Sequence, residues 1–167
     1  MIFSLESSCA GWMGKSEFNH GGGVNYLCLP TDPEFRDDAQ DGYQSHSYIY
    51  GVEYQQEGSQ LFAAVHDQDA PCAVCEVQGR DTVLMIPAKR TCPDDGWTLE
   101  YEGLLASQES NQKGSEYVCV SSGMEGRPHS ESNENGGLLY VVETQCGSLP
   151  CDPYVNGYEL TCVVCTK

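Results

Sequence analysis

The side chains best suited to chemistry in this chain are its cysteines, and two pairs have the spacing of a metal or redox centre. These are Cys72/Cys75 and Cys162/Cys165, each a Cys-x-x-Cys. Zinc ribbons hold their paired ligands roughly 15–20 residues apart, whereas the whole of 76–161 separates these two pairs. A thioredoxin-like redox site needs its Cys-x-x-Cys at a helix start in a βαβ setting. Here the flanks Pro71-Cys-Ala-Val-Cys75 and Thr161-Cys-Val-Val-Cys165 read as strand. Ten cysteines in 167 residues is an even number at a density that points to disulfides and an oxidising compartment.

Other reactive types are weaker signals. His66, Asp67 and Asp69 stand just before Cys72, but nucleophilic catalysis needs such groups adjacent in the fold, and a polar loop leading into a structural cysteine accounts for them. Glu53 and Glu143 recur in matching contexts; a glycosidase would need each to have a second acid, and none is visible, so they read as strand carboxylates facing solvent or accepting bonds from a loop. Asp37, Asp38 and Asp41, followed by Gly42, resemble the front of a calcium loop, yet Tyr48 occupies the position of the bidentate glutamate. That excludes an EF-hand and leaves a looser calcium contact on these three aspartates. Of ten tyrosines, Tyr26, Tyr50, Tyr117 and Tyr140 are expected in the core, while Tyr43, Tyr54, Tyr101 and Tyr154 are the candidates for stacking on a sugar. The sequence has no phosphate loop, no Gly-x-Ser-x-Gly and no His-Glu-x-x-His, so no catalytic residue is assigned and a non-enzymatic role is expected.

The elements that carry these residues are organised by an internal repeat. Gly23-Val-Asn-Tyr26-Leu-Cys28 matches Gly114-Ser-Glu-Tyr117-Val-Cys119, and Glu34 matches Glu125, at an offset of 91. Tyr50-Gly-Val-Glu53 matches Tyr140-Val-Val-Glu143, and Cys72-Ala-Val-Cys75 matches Cys162-Val-Val-Cys165, at 90; Gly11 matches Gly103 at 92. The expected architecture is therefore all-β, with two tandem pseudo-symmetric subdomains, 1–80 and 81–167, packed as one unit and stapled by disulfides. Short apolar and β-branched runs bounded by Gly, Pro, Asn and Asp predict strands at 24–29, 47–54, 61–65, 73–77, 82–87, 97–101, 116–121, 137–144 and 159–166. No window shows a helical apolar stripe. The loops 31–44 and 121–136 hold matching places in the two halves and are the expected ligand-facing surface. Halves of this size have small cores, which disulfides of roughly 2–4 kcal/mol each would reinforce.

Charge narrows the partners. The formal net charge is −17, divided as −9 over residues 1–80 and −8 over residues 81–167. An acidic surface of this kind repels phosphates, so no nucleic-acid partner is expected. No run approaches the roughly 18–20 apolar residues of a membrane span, and the opening Met-Ile-Phe-Ser-Leu-Glu has neither a basic start nor an apolar h-region. Neither membrane insertion nor a complete signal peptide is read there.

Several phrases carry a family likeness: Gly21-Gly-Gly-Val-Asn-Tyr-Leu-Cys-Leu-Pro30, Tyr48-Ile-Tyr-Gly-Val-Glu-Tyr54, Thr91-Cys-Pro-Asp-Asp-Gly-Trp97, Cys146-Gly-Ser-Leu-Pro-Cys151 and Asn156-Gly-Tyr-Glu-Leu-Thr-Cys-Val-Val-Cys-Thr-Lys167. From about residue 11 onward the chain resembles the C-terminal noncollagenous region of invertebrate short-chain collagens. It is more distantly similar to the C-terminal domain of type IV collagen, a tandem β repeat that assembles into trimers. The chain has no Gly-X-Y tract of its own. By position, the resemblance implies the disulfides Cys92–Cys165, Cys119–Cys162 and Cys146–Cys151, and through the repeat Cys28–Cys72, which leaves Cys9 with Cys75. It further implies a secreted, extracellular matrix module that self-associates, as a trimer, and meets matrix proteins. A free lectin-like protein that binds glycans, assisted by calcium, is the alternative expectation.

Overall fold

The computed structural model describes residues 10–43, 46–58 and 60–167. The first half contributes strands β1 (Ala10–Lys15), β2 (Leu27–Pro30), β3 (Tyr50–Tyr54) and β4 (Pro71–Ala73). The second contributes β5 (Val83–Pro87), β6 (Thr98–Ser107), β7 (Val118–Ser121), β8 (Gly137–Val141) and β9 (Thr161–Thr166). The fold is all-β, with no α-helix among the described residues. The strands run in the order β2-β1-β3-β8-β6-β9-β5, with β4 also on β1 and β7 also on β6. β1 and β6 are thus hubs, each carrying three partners from its own half.

The two hubs pair in matching registers. Gly11 faces Cys72 and Met13 faces Cys28 in the first half; Gly103 faces Cys162 and Leu105 faces Cys119 in the second. Gly14 faces Gly51 and Lys15 faces Tyr50, as Ala106 faces Val141 and Ser107 faces Tyr140. Isolated bridges join Glu53 to Asp69 and Glu143 to Glu159. All these pairings are antiparallel. The seam between the halves is instead a parallel pairing of β3 with β8, where Val52, Glu53 and Tyr54 face Gly137, Leu138 and Leu139.

β1 was not anticipated from the sequence, because Ala-Gly-Trp-Met-Gly-Lys is poor in β-branched residues and glycine weakens strands. A close approach explains one of its glycines. A Cβ on Gly11 would meet the Leu29 carbonyl oxygen at 2.2 Å, and one on Gly103 would meet that of Val120 at 1.7 Å. The 61–65 run, expected to be a strand, contains a short 3-10 turn over Ala63–Val65. The chain has to reverse there, since residues 67–70 return along β3 through Asp67 N–H to Tyr54 O and Ala70 N–H to Val52 O, at 2.9 and 2.7 Å. The run still buries two of its apolar side chains, while Leu61, Ala63 and Ala64 are exposed. Phe62 and Val65 join Val52, Tyr54, Ala70, Ala106, Val120 and Leu139 in the core.

Among the described residues four disulfides are formed: Cys28–Cys72, Cys92–Cys165, Cys119–Cys162 and Cys146–Cys151. These pairings are the ones implied by the resemblance, and they fit an oxidising, non-cytosolic environment. Cys9 lies outside the described residues; Cys75 is exposed and has no disulfide partner among the described residues. No helix of the described residues is long and apolar enough to cross a membrane.

Candidate functional site

In the first half, the groove beside β3 is filled by the chain's own residues 135–139. Phe18 N–H donates to Gly136 O at 3.1 Å, and Gln55 N–H donates to Leu139 O at 2.8 Å. The Tyr26 hydroxyl donates to Leu138 O at 3.1 Å. Asn135 N–H donates to the Glu53 carboxylate at 2.8 Å. Local sequence makes this docking close: a Cβ on Gly137 would stand only 3.0 Å from Val52 Cγ2 and 3.1 Å from Lys15 Cβ. Main-chain groups thus do most of the recognition, and the side chains of Tyr26 and Glu53 complete it.

Burial perturbs the groups that line this filled groove. Tyr26 is pushed up to about 12 by burial, a shift tempered by its hydrogen bond with Ser115. Glu53 is raised mainly by burial, with nearby Asp69 adding to the shift and the Asn135 amide opposing it. Lys15 is 1% exposed, and burial lowers its affinity for a proton. Its ammonium donates to Gln108 Oε1 at 2.5 Å and lies 5.8 Å from the Tyr26 ring centroid.

The corresponding place in the second half is an open cleft of about 520 Å³. Its walls include Ser110, Tyr117, Glu143 and Gln145, which are the repeat counterparts of Phe18, Tyr26, Glu53 and Gln55. Val142 and Thr144 are bonded inward, through Val142 N–H to Leu105 O and Thr144 N–H to Tyr158 O, both at 2.9 Å. The alternation of a strand therefore turns the main-chain groups of Glu143 and Gln145 toward the cleft. Neither amide has a main-chain acceptor among the described residues. Glu57, Glu109 and Tyr140 also line the opening, and burial raises Tyr140 above the usual tyrosine range. The cleft is of ligand-binding size and presents acceptors, amides and two tyrosine rings. No lysine or arginine lines it.

The residues singled out from sequence fall elsewhere and are not brought together. Tyr54 is 4% exposed and packs edge-on against Phe62, so it is a core ring rather than a platform for a sugar. Tyr101 donates its hydroxyl to Cys119 O at 3.1 Å. Tyr43 is 90% exposed and stacks edge-on with Tyr48, while Tyr154 lies in the 151–157 turn. Tyr117 and Tyr50, expected in the core, are 61% and 39% exposed. Asp38 is engaged by the Arg36 guanidinium through two bonds, at 2.7 and 2.8 Å. Asp37 and Asp41 share its exposed loop, and no group of three or more His, Cys, Asp or Glu residues suited to a metal ion occurs among the described residues. Loop 121–136, expected to face a ligand, is pinned to the first half: Arg127 pairs with Asp69 at 2.8 Å and lies over the Trp12 ring. His66 lies 3.5 Å from Asp67, well short of a nucleophilic arrangement with the bonded Cys72.

Set against protein-family models, curated proteins and solved structures, the chain gives no significant match in any of the three comparisons.

Proposed function

We propose that this chain is a secreted, non-enzymatic assembly module of the extracellular matrix, built from one β unit used twice, that self-associates through the open cleft of its second half. The single observation that carries this reading is the contrast between the two grooves. One is filled by a strand of the chain itself, and its repeat counterpart is, among the described residues, open and edged by main-chain groups without partners.

The repeat also names the segment that belongs there. Residues Gly137-Leu138-Leu139 fill the first groove, and their counterparts are Ser47-Tyr48-Ile49. That segment is outside any strand, with Tyr48 and Ile49 41% and 49% exposed. Seated in the cleft of a second copy, it would add a strand along Glu143–Gln145, the β-augmentation mode of recognition. Because donor and acceptor are different surfaces, the contact is head-to-tail and closes into a ring when the rotation allows. A trimer is the ring implied by the collagen resemblance.

Sedimentation velocity and native mass measurement at micromolar concentration test this reading. The expected result is a closed oligomer that Ile49→Asp and Tyr48→Asp each return to monomer; a strict monomer in the unaltered protein would sink it. A second reading rests on the same cleft, whose two tyrosine rings, carboxylates and amides suit an uncharged glycan. Binding on a glycan array, with or without calcium, by a protein that stays monomeric would favour that alternative.

A further inference from the structure

The seam between the halves contains a carboxylate in an unusual setting. Glu53 is 3% exposed, and its Oε2 has no hydrogen-bond partner among the described residues. Its other oxygen accepts only main-chain donation from the 134–135 stretch, with Asn135 N–H at 2.8 Å. No salt bridge to Glu53 forms among the described residues.

The groups around it are mostly acidic. From the return strand, Asp69 stands directly opposite as its bridge partner and Asp67 lies within its field. From the docked loop, Glu134 adds to the field on Asp69. Arg127 is spent on Asp69 Oδ2 at 2.8 Å, Lys15 of the neighbouring β1 donates to Gln108, and His66 faces Asp67. From β8, Glu53 meets the uncharged Leu138. A buried carboxylate with one oxygen unbonded, set against like charge, is costly as an anion. As a neutral acid it keeps the Asn135 contact and relieves the repulsion.

We propose that Glu53 makes the β3–β8 seam an acid-tightened latch: when Glu53 is protonated the 135–139 segment is clamped to the first half, and when it ionises the segment loosens. The latch acts on the intrachain strand, so it stands or falls independently of self-association. Its physiological meaning would be local, a strand that becomes easier to displace as pH rises through the Glu53 titration.

The test is hydrogen exchange of the Asn135 and Leu139 amides from mildly acidic to alkaline pH, corrected for intrinsic rates. The Val163 and Val164 amides on β9 serve as an internal reference for the general effect of charge. The expected result is a loss of protection at the seam, relative to β9, as pH rises, abolished in Glu53→Gln. Seam and β9 amides changing in parallel, or Glu53→Gln keeping the full dependence, would overturn the proposal. Should that variant fail to fold, a carbon-13 titration of the Glu53 carboxyl in the unaltered protein decides. A midpoint at or below the ordinary glutamate range overturns the latch, and one above it supports the latch.

Discussion

At the scale of single residues, Glu53 and its counterpart Glu143 show how one sequence feature takes on two roles. Both lie opposite a carboxylate, Asp69 and Glu159 respectively. Glu53 is sealed by the chain's own strand, whereas Glu143 lies exposed in the open cleft. The consequence for stability follows from the sign of the shift. Because burial raises Glu53 above its unfolded value, the folded state binds more protons than the unfolded state between the two. Stability from this group is complete below the unfolded value and is lost as pH rises through the folded one. Glu53→Gln removes that loss, keeps an acceptor for Asn135 and places a donor at the orphaned oxygen. The expected outcome is a higher Tm than the unaltered protein at neutral pH, with the difference vanishing at pH 3–4; calorimetry at two pH values checks it. An acidic group on β6 should behave in the opposite way. Glu100 is lowered by its hydrogen bond with Thr166 and then by Arg80, so its contribution is present above its unfolded value and is lost on acidification.

At the scale of elements, glycines and disulfides fix the strand geometry. Gly103 lets β6 approach β7 so closely that a Cβ would overlap the Val120 carbonyl. Gly103→Ala must push backbone against backbone and is expected to cost about 1–3 kcal/mol, the range for overpacking. Urea unfolding measures it, and a cost near zero would show that the two strands part freely. The disulfides should rank by the loop each one closes. Cys119–Cys162 spans 43 residues and Cys146–Cys151 only 5, so the chain-entropy model assigns them about 4 and about 2 kcal/mol respectively. Double alanine variants compared in urea test that order. Part of this was legible in sequence: short apolar and β-branched runs bounded by Gly, Pro, Asn and Asp marked an all-β chain, and its cysteine density marked disulfides. β1 was not, since its glycines argue against a strand by propensity and are required only once β2 lies against it. Nor was the cleft, because Tyr117 and Tyr26 are the same residue in the same repeat position. What separates them is whether residues 135–139 lie above, a contact between halves that no local pattern encodes.

At the scale of the whole molecule, the charge of −17 bears on any association between copies. It is divided almost evenly between the halves, so neither half offers the other a net positive partner. The cleft adds to the difficulty, since Glu57, Glu109 and Glu143 line it without a lysine or arginine. In the proposed association, attraction would come from what the 47–49 segment buries, chiefly Tyr48 and Ile49, and from main-chain pairing with Glu143 and Gln145. Those terms act at contact, while the repulsion between copies acts over the Debye length, about 30 Å at 0.01 M salt and about 8 Å at 0.15 M. Head-to-tail association through the cleft should therefore strengthen with salt, against the trend for partners of opposite charge. Sedimentation velocity from 10 to 300 mM sodium chloride is expected to show the oligomer growing at the expense of monomer. Glu143→Gln should weaken that dependence without abolishing assembly, because its amide oxygen can still accept the incoming main-chain N–H. An oligomer that dissociates as salt rises would place the contact on complementary charges, and so on a surface other than this cleft.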